Sequence, residues 1–405
     1  MNKKIIAIVI SVLYLVSSFS VLAKAEDILL ISDVDYSNEL AAINAINPDY
    51  KLPEETSAFT RSEFVKLLID VMRPQPRVEA ETGFEDVDSK SDYASSLKFA
   101  KDFEIISVAQ NFNPDDDVTY IQAVKMVVSA LGYKPLADAK GSYPTGYLAI
   151  ANDIDLTDGV KGSGDNSLAI ADGLKLICNA FDCAVMVQTG FGNDFVYDAS
   201  TGETFLSYYR KIDTVYGIMN ANEYTSLTSA NDGLDDGYVK IGIDDFKTKG
   251  DFNHFLGYNV KAYVENEDEI IFVQKYETEE YVLNTTDIDR IEGFSVIVNE
   301  NGKEKKYSID ESFSYIKNGK AFSVTSADFS SYFMFDTGEI ILVDNNGDKK
   351  SDVVIANQYN YSVVSRVGVG KENIIYDSNS SANSINLDDV EYVLPEEWIK
   401  ELIVE

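Results

Sequence analysis

The chain has one histidine, one tryptophan and two cysteines among 405 residues, and each scarcity excludes something. His254 alone builds neither a His-based catalytic triad nor a multi-histidine metal centre; between Phe252 and Phe255 it reads as packing. Trp398, near the C-terminus, leaves no tryptophan platform for stacking sugars, and the 25 tyrosines read first as strand residues. Cys178 and Cys183 lie five apart on an expected helix, beyond disulfide reach unless the helix ends between them. The alternative is a pair of small buried hydrophobes. Either way the chain is not stapled, and ordinary cores must hold it. Basic residues are few, 34 against 68 acidic ones, so no basic stripe exists to displace counterions and nucleic acid is not an expected partner. Proline is absent between residues 145 and 394, while seven of the eight prolines precede that stretch.

What is present begins with a leader. Lys3 and Lys4 precede an apolar run from Ile5 to Val16 interrupted by Ser11, and Ala23-Lys24-Ala25 follows. This is the pattern of a secretory signal peptide, residues 1–25, with the mature chain starting near Glu26. Its removal leaves 31 basic against 68 acidic side chains, a charge of −37. Such an excess suits an exposed surface protein, one bathed in divalent cations. No later stretch is long and apolar enough for a membrane span.

The chain is written in two styles. Up to about residue 189 the apolar period is helical. Thr60-Arg61-Ser62-Glu63 predicts a capping box, with Phe59 and Phe64 at the staple positions and Phe64, Leu67, Leu68 and Val71 on one face. Thr119-Tyr120-Ile121-Gln122 is a second box, 59 positions later, leading into Val124, Val127, Val128 and Leu131 and closed by Gly132. A further 50 positions on, Ile170, Leu174, Ile177 and Phe181 form a third face without a threonine cap. Each follows a shorter helical stretch and a loop, so three helix–loop–helix units of about 27–78, 79–134 and 135–189 are expected to pack together. From about residue 193 the text turns to short alternating runs. "GYNVKAYVE" (257–265) puts Val260, Ala262 and Val264 on one face, and Asn301-Gly302 and Asn318-Gly319 are hairpin turns. The expected class is α+β: a helical three-repeat bundle over 26–189, then an all-β region over 190–405 holding two or more small modules.

The second unit resembles a repeat of the S-layer homology (SLH) family. Phe84-Glu85-Asp86-Val87, Tyr93-Ala94, Glu104-Ile105-Ile106, Phe112-Asn113-Pro114 and Thr119 to Gln122 stand where that family has Phe-x-Asp-Val, aromatic-Ala, Gly-Ile-Ile, Phe-x-Pro and Thr-Arg-Ala-Glu. The first unit matches chiefly through Thr60 to Glu63, the third through "GYLAIANDIDLTDGV" and "ICNAF". The resemblance covers roughly residues 27–187. It implies a pseudo-threefold bundle with grooves between repeats and non-covalent attachment to a peptidoglycan-associated cell-wall polysaccharide, often one carrying an anionic pyruvate ketal. It implies further that the arginine of the helix-start motif lies in a groove. Local helix physics does not require Arg61, so the resemblance supplies its reading: a guanidinium that pairs bidentately with a carboxylate, assisted by the helix N-terminus. Thr60, Glu63, Asp86 and Tyr120 complete the candidate wall-binding set. Tyr120 and Ile170 replace the arginine in the second and third units, Glu104 the turn glycine, and Tyr93 the usual tryptophan. At most one groove therefore keeps the charged contact.

In the β region, "DNNGDKKSD" (344–352) places Asp344, Asn346, Asp348 and Asp352 at positions 1, 3, 5 and 9 of a turn. Hard oxygen ligands at such spacing suit calcium; an unliganded polar hairpin turn is the alternative. Position 6 is Lys349 and position 12 Ile355, so this is no EF-hand. No Walker loop, Gly-x-Ser-x-Gly or His-Glu-x-x-His occurs. The expectation is a secreted, non-enzymatic protein of a bacterial cell wall or S-layer, displaying β modules from a wall-attached bundle. Two alternatives stand: a carbohydrate-active enzyme with catalytic carboxylates in the β half, and a lattice or adhesion protein whose bundle is only scaffold.

Overall fold

The computed structural model describes residues 36–46, 57–72, 78–190, 196–198, 202–228, 232–300, 302–324, 326–359, 364–368, 384–387 and 390–393. The expected signal peptide and its cleavage site, Trp398 and Asn301 lie outside the described residues. The described chain is mixed α and β, with a β-rich second half.

Two compact units divide after Thr278. In the first, helices α1 (Tyr36–Ala42), α2 (Arg61–Met72), α3 (Ala94–Asp102), α4 (Tyr120–Ala130), α5 (Lys134–Ala139), α6 (Thr145–Asp153) and α7 (Ile170–Asn179) come before any strand. Three of them end alike. Asn44, Glu104 and Asp155, just past α1, α3 and α6, adopt left-handed φ values of 56°, 56° and 55°. In each case the residue after the turn donates its amide five positions back: Ala45 to Leu40, Ile105 to Ala100 and Leu156 to Ala151. This is the Schellman pattern, and at Glu104 a non-glycine holds the strained position.

The three longer helices also begin alike, and their approach segments close a ring. The Phe59 amide donates to the Leu168 carbonyl (3.2 Å), the Leu168 amide to Val118 (2.9 Å) and the Val118 amide to Phe59 (2.8 Å). The three residues stand directly before the cap positions Thr60, Thr119 and Ala169, so the repeat spacing read from the sequence becomes a closed three-way junction. Both threonine capping boxes form, the Phe59 and Phe64 rings meet edge to face at 5.8 Å, and Ala169 provides no side-chain cap. Cys178 and Cys183 are buried and free. A short 3-10 turn over Ala180–Asp182 separates them, without a bridge.

The same unit continues through strands β1 (Val187–Gly190) and β2 (Val196–Asp198), helix α8 (Phe205–Arg210) and a five-stranded closed barrel. The barrel is ordered β3 (Ile212–Ala221), β4 (Tyr238–Ile241), β5 (Asp244–Thr248), β7 (Glu269–Lys275) and β6 (Asn259–Glu265). Helix α8 is a helix inside the stretch expected to be all β. Its Arg210 donates to the carbonyls of Asp70 and Ile43, satisfying chain ends of the helical part. One hydrophobic core runs from Leu40 and Phe64 through Phe181 and Phe205 to Tyr263 of the barrel. The change of style near residue 190 therefore lies inside one packed body.

In β6 the expected alternation gives way: every residue from Val260 to Val264 is buried. One face fills the barrel, and on the other Lys261 and Tyr263 pack against α1. His254 stands on a short 3-10 turn with its ring 4.1 Å from that of its neighbour Phe255, and it is exposed rather than packed into a core as expected.

The second unit starts at β8 (Glu279–Asn284) and runs through β9 (Ile288–Ile291), β10 (Ser295–Glu300), β11 (Lys303–Lys317), β12 (Lys320–Phe322), β13 (Gly338–Asp344) and β14 (Lys350–Gln358). They form a seven-stranded sheet along the path β8-β13-β14-β11-β10-β9, with β12 on β11. Lys317 and Lys320 face each other across Asn318-Gly319, whose φ values of 47° and 75° make the expected two-residue hairpin turn. A further three-stranded sheet is formed by β15 (Val364–Gly368), β16 (Ser384–Leu387) and β17 (Val390–Val393).

Candidate functional site

The first turn of α2 is built against the second helical repeat, residues 79–134, of the same compact unit. The Arg61 amide donates to the Asp116 carbonyl at 2.9 Å and the Ser62 amide to Pro114 at 3.0 Å. The same construction recurs at α4, where Tyr120 donates to Asn166 and Ile121 to Gly164, and at α7, where Ile170 donates to Ser57. The free amides of these helix starts are thus spent on neighbouring units, and the Arg61 and Ser62 amides do not remain for a ligand.

The Arg61 side chain lies along the same seam. Its Nε donates to the Phe112 carbonyl at 2.9 Å and its Nη1 to Gln122 Oε1 at 2.6 Å, while the guanidinium sits 4.7 Å from the centroid of the Phe112 ring. Side-on pairing with a carboxylate needs Nε, so that fork is closed, and only the Nη edge remains for an incoming oxygen. Burial pushes the Arg61 pKa down, against the opposing pull of Asp116 and Asp86. No carboxylate among the described residues approaches Arg61 within ion-pair distance.

Asp86, the acid of the Phe-x-Asp-Val stretch, belongs to this neighbourhood without bonding the arginine. Its two oxygens accept from the Phe112 and Asn113 amides at 2.8 and 2.6 Å. Burial raises its pKa, but these amides outweigh burial and hold the carboxyl below its ordinary value. It therefore shapes the loop on which Arg61 rests. Thr60 and Glu63 are occupied with each other, Thr60 N reaching Glu63 Oε2 at 2.9 Å and Glu63 N reaching Thr60 Oγ1 at 3.2 Å. Tyr120, at the position equivalent to Arg61, lies against Gly162 so closely that a Cβ there would stand 2.3 Å from the ring. Of the five candidates, the structure gathers Arg61 and Asp86 around Phe112, keeps Thr60 and Glu63 as the cap beneath Arg61, and sets Tyr120 at a separate junction.

Phe112, Gln122, Lys125 and Tyr143 are neighbours of this site that the sequence reading missed. A signal for Lys125 was present: Lys66, Lys125 and Lys175 each stand six residues after the equivalent positions Thr60, Thr119 and Ala169. Lys125 is half-buried, donates to Ser107 Oγ at 2.5 Å and lies 5.7 Å from the Tyr143 ring centroid.

The loop at 344–352 is a different arrangement. Asp344, 1% exposed, accepts from the amides of Asn346, Gly347 and Lys349. Asp352 accepts from the Asn345 amide and from Asn346 Nδ2, Asn346 Oδ1 from the Asp348 amide, and Asp348 Oδ1 from the Lys350 amide. These oxygens are turned to loop amides, and no group of three or more His, Cys, Asp or Glu residues placed to hold a metal occurs among the described residues. Calcium at this loop therefore rests on residue spacing alone.

A carboxylate pair with displaced pKa values does exist in the barrel. Glu223 is held low, at about 2, by the Tyr224 hydroxyl, the Gly237 amide and Asp236, and Asp236 is raised by Glu223. The two lie on the connection between β3 and β4 and act directly on one another's protonation, whereas glycoside hydrolysis needs carboxyl groups standing apart across a bound sugar.

No family model matches the chain. A stretch of 158 residues, 38% of this chain, is 29% identical to a protein named middle cell wall protein of Brevibacillus brevis, covering 15% of that protein. A stretch of equal length is 28% identical to a surface layer protein of Brevibacillus choshinensis, covering 14% of it. Over 332 residues, 78% of this chain, it is 23% identical to a cell surface protein of Thermoanaerobacter kivui, covering 40% of that protein. The chain thus spans between about a seventh and two fifths of these relatives. They place it among the proteins of the bacterial cell surface and cell wall.

Proposed function

We propose that this protein is attached non-covalently to a cell-wall polysaccharide through its three helical units, which act as degenerate SLH repeats, and that it presents the β-rich part from that anchor. The observation that carries the reading is Arg61: a half-buried guanidinium with no carboxylate within ion-pair distance among the described residues, held on the seam between two helical repeats of a chain with net charge −34. An acidic protein has many carboxylates to spare for such a cation, and one left without a direct ion pair on a seam, with Asp116 and Asp86 acting on it only at a distance, suits an anionic group from outside. The names of the relatives support the location, and the three-way junction of Phe59, Val118 and Leu168 supports the repeat architecture. The role is binding, not catalysis.

The test is sedimentation of the secreted protein with purified cell-wall sacculi. Arg61→Met removes the charge and keeps the stem, and should weaken binding by about 1.5–3 kcal/mol, the size of a lost charge-assisted hydrogen bond. Arg61→Lys should restore only part, because an ammonium cannot reproduce the planar contacts. Thermal melts of the same proteins establish that each is folded at the assay temperature. Full wall binding by folded Arg61→Met would overturn the reading.

A further inference from the structure

The face of β6 that packs on α1 carries a lysine held between two acids. Lys261 lies directly opposite Tyr216 of β3 on one side and Gln274 of β7 on the other. Each of the three side chains reaches an acid of the helical part. Tyr216 donates its hydroxyl to Asp182 Oδ2 at 2.6 Å and Gln274 Nε2 donates to Glu39 Oε1 at 2.8 Å. Lys261 Nζ stands 3.2 Å from both Asp182 Oδ2 and Glu39 Oε2. The acids come from different elements: Glu39 from α1, and Asp182 from the 3-10 turn Ala180–Asp182, which the Cys183 amide closes on the Ala180 carbonyl.

The two acids are not equivalent. The Glu39 side chain is 1% exposed, and Lys261, the Tyr263 hydroxyl and Gln274 occupy its oxygens. The Asp182 side chain is 36% exposed, so its carboxyl meets the lysine and still opens to water. A nearly dry ammonium between two carboxylates keeps a desolvation cost that neutral groups would not carry.

We infer that Lys261 and Asp182 condense into an isopeptide bond, with Glu39 as the base that takes the ammonium proton. Glu39 accepts one proton from Lys261 and leaves a neutral amine. The Nζ lone pair attacks Asp182 Cγ and forms the N–C bond, while Tyr216 donates to the carboxyl. A second proton from the nitrogen and the proton held by Glu39 pass to the departing oxygen; a C–O bond of Asp182 breaks and water leaves. An ammonium and a carboxylate become an amide and water, nothing is oxidised or reduced, and Glu39 ends as the carboxylate it began. Asp182 is the acid that reacts because the leaving water has an exit there, whereas Glu39 is enclosed. Contacts of 3.2 Å fall in the near-attack range of about 3–3.5 Å, and the effective concentration of groups so held takes the place of an activated acyl donor. Glu39 and Asp182 raise the Lys261 pKa, so the neutral amine is the minor form and closure is slow. The ion-paired protein is the form that folding delivers, and the bond follows it. The link ties the helical part to the barrel covalently in a chain whose cysteines are unbridged, and it is independent of wall binding.

The test is intact-mass spectrometry of the whole secreted protein, unfolded after prolonged incubation. The chain should be lighter by one water than its sequence requires. Trypsin should fail to cut after Lys261, and peptide 250–275 should be recovered branched to peptide 176–210, which contains Asp182. Asp182→Asn should close with loss of ammonia in place of water, and Lys261→Met and Asp182→Ala should keep their full mass. Glu39→Gln, shown to be folded by its thermal melt, should close at least about a hundredfold more slowly, the scale of a lost general base. Full mass in the incubated wild type, with separate peptides on either side of Lys261, would overturn the proposal whatever the variants do. A branch to the peptide that ends at Lys51 and carries Glu39 would overturn the choice of Asp182, and closure of Glu39→Gln at the wild-type rate would overturn the role of Glu39.

Discussion

Lys261 and Glu39, separated by 222 positions, form an ion pair at 3.2 Å in which the side chains are 8% and 1% exposed. Glu39 comes from α1 and Lys261 from the barrel strand β6. The same carboxylate accepts from the Tyr263 hydroxyl and from Gln274 Nε2, and Lys261 reaches a second acid, Asp182, at 3.2 Å. Every partner of the glutamate is therefore a barrel residue. This network, with the shared apolar core, makes the helical part and the barrel one body.

Removing one member of such a network should cost far more than a surface pair. Glu39→Ala leaves a buried ammonium and a buried phenol with fewer acceptors, and about 3–5 kcal/mol of stability should be lost. Glu39→Ala combined with Lys261→Met should recover a good part of it. The pH dependence follows from the direction of the shift. Burial lowers the Lys261 pKa, but Glu39 and Asp182 outweigh burial and raise it above its ordinary value. The lysine's contribution is then complete at neutral pH and is lost only as pH rises through that raised value. Chemical denaturation of the two variants and the wild type between pH 7 and 11 measures both effects. A double variant no more stable than Glu39→Ala would show that packing, not charge, holds the junction.

Thr60 and Arg61 are adjacent and should respond differently to removal. Thr60→Ala deletes a cap and should cost about 1 kcal/mol, with wall binding changed only through stability. From the sequence alone Arg61 has no local structural duty, yet its bonds to Phe112 and Gln122 tie the first helical repeat to the second. Arg61→Ala should therefore also destabilise, by about 1–3 kcal/mol. Gln122 Oε1 accepts from the Thr119 amide as well as from Arg61, so Gln122→Ala should lose a cap and the tie together. Calorimetric melts rank the three; an Arg61→Ala protein as stable as wild type would show that the tie contributes nothing.

What could be read in advance was local. The capping boxes, the phenylalanine staple and the helix faces depend on residues three to seven apart, and all are present. Asn318-Gly319 specifies its turn because both positions need positive φ. What could not be read was set by distant partners. Val260, Ala262 and Val264 correctly marked one buried face of β6, but nothing in the local pattern shows that Lys261 and Tyr263 on the other face are covered by α1. The use of Arg61 Nε by Phe112, 51 positions away, closed the side-on one of the two forks through which a bidentate contact can form. At 344–352 the spacing of oxygens that would suit an ion is also the spacing of side chains that cap their own turn amides, and only geometry separates the two.

The leader makes a prediction that needs no folded structure. Lys3 and Lys4, the apolar run to Val16 and the Ala23-Lys24-Ala25 tripeptide are in the order a signal peptidase requires. Mass spectrometry of the secreted protein should find Glu26 as its first residue. A cell-associated form that keeps Met1 would instead mean that the apolar run is retained.

The 344–352 loop allows a sharp choice between ion and turn. Asp344 is buried and serves three loop amides, so Asp344→Ala should leave those donors unpaired and cost about 1–3 kcal/mol or more. Asp352 has its pKa raised, first by burial and then by Asp344, Asp348 and Asp310. Its charged form is therefore disfavoured in the folded state, and as pH falls through that raised value the fold gains the proton and becomes more stable at this site. Added cations should ease the same repulsion by screening. A bound calcium would behave differently, raising the melting temperature by mass action in wild type but not in Asp348→Ala, and doing so more than magnesium. Because the oxygens already satisfy amides, the expected result is an equal rise with calcium and magnesium in both proteins. A calcium-specific rise lost in Asp348→Ala would establish the ion site and show that the loop exchanges its amide contacts for metal.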